Sequence, residues 1–122
     1  MVKKIVIAGC RNYNNYKQAK AFLDSYLNNI KKEHEIIIIS GCSNGADRLG
    51  ELYAEENGFK IEKHPADWKR YGRSAGPKRN EEMAKIADAV ICFWDRKSRG
   101  TKSMIDFANK YKKPLKIKII HP

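Results

Sequence analysis

Short apolar runs alternate with amphipathic stretches from one end of the chain to the other. Five runs rich in Ile and Val, at 3–8, 35–40, 60–64, 89–94 and 115–120, have the length and composition of buried strands. Between them the apolar residues fall at helical spacing. Tyr16 to Ile30 places Ala19, Phe22, Leu23, Tyr26, Leu27 and Ile30 on one stripe. Ala46 to Asn57 does the same with Ala46, Leu49, Leu52, Tyr53 and the margin at Glu56, and Gly58 supplies a C-cap. A third helix is predicted to start at Pro77, suited to a first helical turn, and to run through Met83 and Ile86. The fourth spans about 101–112 and stops before Pro114. Near-continuous apolar strands separated by helices predict one doubly wound α/β domain over 1–122, with a parallel sheet of about five strands covered on both faces.

That architecture directs attention to the carboxyl ends of the strands, where open α/β sheets bind ligands near the switch in strand order. After the second strand comes Ser40-Gly41-Cys42-Ser43-Asn44-Gly45-Ala46-Asp47, a strand running into a glycine turn that opens a helix. Glycines allow close backbone approach, and the free N–H groups of a helix start attract an anion. After the fourth strand, Trp94-Asp95-Arg96-Lys97-Ser98-Arg99-Gly100-Thr101 repeats the arrangement, with Ser98 and Thr101 as hydroxyls beside a second helix start. Ordinary helix capping explains either turn alone. Two of them at the ends of one sheet favour a phosphate-bearing ligand.

Other residues join these two walls. Gly9 and Arg11 follow the first strand, Arg73 lies within the unusual connection from His64 to Gly76 beside its aromatic residues, and Arg79 just beyond it; a guanidinium fork binds phosphate bidentately. That connection carries Asp67, Trp68 and Tyr71, whose rings can stack on a base or pack on the sheet edge. Catalytic candidates are few. Asp47 and Asp67 can act as a base or hold a ribose hydroxyl, and Asp47 can equally cap its helix.

With 25 Lys and Arg against 14 Asp and Glu, the formal charge is +11, which favours anionic partners or a solvated basic surface. No apolar run approaches the length of a membrane span, and the N-terminal run is too short for an export signal, so a cytoplasmic location is expected. Cys10, Cys42 and Cys92 lack paired spacing and suit reduced, packed thiols; His34, His64 and His121 lie far apart, so no metal site and no cofactor are indicated.

Five short strings in order resemble the SLOG superfamily of Rossmann-like nucleotide-binding domains, in its small group typified by YspA. They are Ile7-Ala8-Gly9-Cys10-Arg11; Ser40 to Asp47; Pro65-Ala66-Asp67-Trp68 with Tyr71-Gly72; Ala75-Gly76-Pro77 with Arg79-Asn80 and Met83; and Phe93-Trp94-Asp95 with Ser98 to Thr101. Cys42 stands where a second glycine is usual. The resemblance implies a nucleotide or nucleotide-derived ligand at the strand ends, sensed or sequestered, with Asn80 and Trp94 added to its contacts. Related phosphoribohydrolases carry a glutamate where this chain has Met104, which counts against that hydrolysis and leaves Asp47 and Arg79 as the catalytic candidates. Single-stranded nucleic acid, bound by DNA-processing relatives, ranks below the small molecule as a partner. The apolar helix faces also allow a homodimer.

Overall fold

The computed structural model describes residues 1–121. Its centre is a sheet of five parallel strands: β1 (Val2–Gly9), β2 (Glu35–Ser40), β3 (Lys60–Lys63), β4 (Ala89–Trp94) and β5 (Leu115–Ile119). Their spatial order is β3-β2-β1-β4-β5, so the chain builds outward from β1 in one direction and then returns to its other side. The switch therefore falls between β1 and β4, where Gly9 pairs with Phe93 at the carboxyl ends. This is the Rossmann-like α/β fold that the alternating pattern predicts.

Alternation along β1 explains why helices cover both faces. Ile5 and Ile7 point into one core with Ile36, Ile38, Ile91 and Phe93, covered by α1 (Tyr16–Leu27) and α3 (Ala46–Asn57). Val6 and Ala8 point the other way, joining Ile39, Val90 and Cys92 beneath α5 (Ala75–Ile86) and α6 (Arg99–Lys110). Burying such strands on both sides leaves only their ends to meet solvent and ligand. Among the described residues no helix is long and apolar enough to cross a membrane.

Four details depart from the periodicity reading. The first helix ends at Leu27, where Asn28 and Asn29 intervene, and a separate turn α2 (Ile30–Glu33) follows. Leu52 is exposed, because Gly50, Glu51, Tyr53 and Ala54 take the buried face of α3. The fourth helix runs Arg99–Lys110, two residues earlier at each end, with Ser98 as its cap. The connection after β3 is not an irregular loop: it holds a helical turn α4 (Trp68–Tyr71), capped by Asp67, then a 3-10 turn over Gly72–Ser74. That turn runs straight into α5, which starts at Ala75, so Pro77 sits third in the helix. A proline in the first turn costs no helical hydrogen bond, so its position limits the start only loosely.

Candidate functional site

At the end of β1, Cys10 ties three segments together. Its amide donates to the Phe93 carbonyl of β4 at 3.1 Å, while its own carbonyl accepts from the amides of Tyr13 and Ala46. Tyr13 then stacks on Phe93 with ring centroids 5.2 Å apart. Gly45 completes the junction. Its φ is +75°, and a Cβ there would lie 2.2 Å from the Cys10 carbonyl oxygen and 2.4 Å from that of Arg11. This glycine is required for two loops to touch, not for a ligand to approach.

The rest of the first turn is occupied by the protein itself. Ser40 Oγ accepts from the Cys42 amide at 3.1 Å and donates to Glu51 Oε2 at 2.6 Å. The Ser43 amide donates to Asp47 Oδ2 at 3.1 Å. Two N–H groups expected to await an anion are thus engaged by side chains of this turn. Gly41 leaves room for the neighbours that matter: a Cβ would come within 2.7 Å of an Arg79 nitrogen and 2.9 Å of Asp47 Oδ2. Arg79 donates to the Gly41 carbonyl, and its Nε donates to Asn80 Oδ1 at 2.9 Å.

Burial dominates the electrostatics of this pair. It pushes Asp47 up to about 6, against the opposing pull of the Ser43 amide and of the charges on Arg79 and Arg11. The same desolvation lowers Arg79, and Asp47 partly offsets it. Burial also raises the Cys10 thiol, so it is a packed thiol rather than a reactive one.

The second turn is built on a carboxylate as well. Asp95 Oδ1 accepts from the amides of Lys97 and Ser98, both at 2.8 Å, and these bonds hold its carboxyl below the usual range. Ser98 caps α6 through the Thr101 amide, and Thr101 Oγ1 donates to Ser98 Oγ at 3.0 Å. Asn80 Nδ2 reaches the Gly100 carbonyl and Ser103 Oγ, each at 3.3 Å, and so fixes α5 against the start of α6. Nothing stands within 4 Å of a Cβ built on Gly100, which leaves open space beside this helix start.

Between the two turns lies a cavity of about 350 Å³. Of the residues singled out from sequence, it gathers Gly9 from β1 and Arg11 from the segment after it, Ser43 and Asp47 from the first turn and its helix start, Arg79 and Asn80 from α5, and Ser98, Gly100 and Thr101 from the second turn and its helix start. Gly41, Gly45 and Ala46 lie behind that lining as its supports. Trp94 also supports: its Nε1 donates to the Ser98 carbonyl at 3.1 Å. Asp67, Trp68, Tyr71 and Arg73 do not line the cavity; Asp67 caps α4, and the Trp68 ring lies over Gly76. The lining adds Ala8, Cys10, Asn12, Asp95, Met83 and Met104, which the candidate set lacks. Cys10 and Asp95 immediately follow strands, so the strand-end position that selected Arg11 is a signal for them too. Met104, 1% exposed, places a thioether on the α6 wall.

Solved structures share this fold. DNA processing protein A from Streptococcus pneumoniae is 19% identical with a TM-score of 0.71, over 96% of this chain and 50% of that one. DNA processing protein A from Helicobacter pylori, described for its single-stranded DNA binding mode, is 23% identical with a TM-score of 0.67, over 94% of this chain and 64% of that one. The chain thus spans about half to two thirds of the length of these proteins. No curated protein matches the sequence. The family model described as YspA, cpYpsA-related SLOG family matches residues 3–71, more than half of the 122 residues, and the chain belongs to that family.

Proposed function

We propose that the protein binds a nucleotide or nucleotide-derived ligand in the crevice between β1 and β4, in a sensing or sequestering role. The observation that carries this reading is the pairing of Arg11 and Arg79 on a polar cavity at the switch in strand order. Arg79 is anchored at Nη1 by the Gly41 carbonyl and at Nε by Asn80, which among the described residues leaves Nη2 to meet an anion. The volume of 350 Å³ is near the lower end of the roughly 300–1,000 Å³ of small-molecule sites, which suits a mononucleotide better than a dinucleotide. Met104 supports holding the ligand over cleaving it, because α6 brings no carboxylate to the wall where it stands.

Calorimetry with mononucleotides, ADP-ribose and cyclic dinucleotides tests the proposal. Binding of a mononucleotide is expected, with the ligand recovered intact after long incubation. Arg79→Ala is expected to weaken it by about 10- to 150-fold, the worth of a lost charge-assisted hydrogen bond. Absence of binding across the panel ends the proposal, and release of free base or ribose phosphate replaces it with a hydrolytic one.

A second reading, single-stranded nucleic acid, rests on α4. Trp68 is 51% exposed and Tyr71 39%, with the Arg70 guanidinium 5.1 Å and the Lys78 ammonium 4.9 Å from the Tyr71 ring centroid. Exposed rings among cations are the elements of a base-stacking platform. This reading predicts oligonucleotide affinity that falls steeply with salt, and about a tenfold or larger loss in Trp68→Ala. Affinity that is flat with salt eliminates it.

A further inference from the structure

Arginines explain how the crevice attracts an anion, but they leave Asp47 unexplained. This residue is 5% exposed, lines the cavity, and has only one oxygen engaged: Oδ2 accepts from the Ser43 amide. Among the described residues no donor reaches Oδ1, and Oδ1 is not one of the sealed atoms that lack a partner, so it keeps some access to the outside, and the cavity is the space that Asp47 lines. A nearly buried carboxylate oxygen without a donor is costly to keep. It repels phosphate and accepts only from a donor.

A ligand held here must therefore offer an anion to the arginines and a hydrogen-bond donor beside it. In a nucleotide the donors nearest the phosphate are the ribose hydroxyls, whereas a base amine is removed by the whole sugar. We infer that Asp47 reads the sugar: its open Oδ1 accepts a ribose hydroxyl of the bound ligand and makes the crevice selective for ribose phosphates over their deoxy forms. The inference rests on the phosphate-ligand reading of the crevice and adds the identity of the sugar.

The groups that act on Asp47 come from every side of it. Arg79 faces it from α5, Arg11 from the segment after β1, Glu51 from the next turn of α3, and the Cys92 thiol from β4. With burial setting its value at about 6, Asp47 is an ionised acceptor at pH 7.5 and largely protonated at pH 5.

The test compares adenosine 5′-monophosphate with its 2′-deoxy and 3′-deoxy forms, and ribose 5-phosphate with 2-deoxyribose 5-phosphate, by calorimetry on the whole chain. At pH 7.5 at least one deoxy form of the nucleotide is expected to bind about tenfold or more weakly, the size of a charge-assisted hydrogen bond. In Asp47→Asn, shown to be folded by circular dichroism, the gap shrinks at least about threefold relative to the parent, because the amide keeps the Ser43 bond through its oxygen and offers the hydroxyl a neutral NH₂ donor in place of a charged acceptor. The parent at pH 5 shows the same shrinkage. Equal binding of all forms, or a gap unchanged in Asp47→Asn, overturns the inference and leaves nucleotide binding standing. A gap between the two sugar phosphates without nucleotide binding sustains Asp47 and defeats the nucleotide reading. If neither pair binds, the inference falls, and the nucleotide reading is decided by the wider panel.

Discussion

Three glycine-to-alanine variants are expected to differ sharply, with Gly45→Ala losing roughly 3 kcal/mol or more of stability. Its φ of +75° combined with ψ of −127° is a conformation L residues rarely adopt and costs an alanine about 1–3 kcal/mol, and the new Cβ would overlap two backbone carbonyl oxygens that cannot rotate aside, a clash worth about 1–3 kcal/mol more. Gly58 supplies the comparison with an ordinary left-handed position, at ψ +22°. It has φ +69° with nothing within 4 Å of its Cβ, so alanine there costs only about 1 kcal/mol. Gly100 has neither constraint and sits in the first turn of α6, so its alanine variant is neutral or slightly more stable. Urea unfolding of the three variants measures the series. A Gly45 variant as stable as the Gly58 one shows that the contact between the two strand-end loops does not shape the fold.

Asp47→Asn is expected to act in the opposite direction, raising stability by about 2 kcal/mol at pH 8. The parent's carboxyl titrates near 6 in the folded chain, against 3.8 for a free side chain. Between those values the folded state holds a proton that the unfolded state has released, so the parent gains stability as pH falls through about 6 toward 4. Above 7 both states are ionised and the folded chain carries the full penalty, about 3 kcal/mol for a shift of two units. The amide removes that penalty and gives back part of it through a weaker bond to the Ser43 amide. The advantage of the variant is therefore largest at pH 8 and disappears near pH 4. Thermal unfolding across pH 4–8 measures it, and a variant less stable than its parent at pH 8 refutes the account. Such a cost at the wall of a cavity supports the ligand-reading role proposed for Asp47.

Much of the fold was legible because each strand is a compact apolar run. The strands expected at 35–40 and 89–94 coincide with β2 and β4, and the other three differ by one residue at one or both ends. Helix limits were less legible, since they depend on contacts rather than period. Leu52 satisfies the helical stripe of α3, yet the buried face is shifted to include Glu51, whose partner Ser40 lies on β2 and is distant in sequence. The glycine turn shows the same limit. Its position at a strand end was readable, but that Gly45 serves the Cys10 carbonyl and that Asp47 occupies the Ser43 amide follows only from how β1 and α3 meet. The resemblance adds Trp94 to the ligand contacts, whereas its N–H holds the Ser98 carbonyl.

The central place of β1 has a further consequence for cooperativity. The cavity draws Arg11, Ser43 and Asp47 from the chain before α4, and Arg79, Ser98 and Thr101 from the chain after it, while among the described residues the only strand pairing between these halves is β1 with β4. A molecule seated there is a cross-link between the two halves. It would slow amide hydrogen exchange along the β1–β4 ladder more than at the outer strands, so that Val6, Ile7 and Ala8 would report occupancy from within the core.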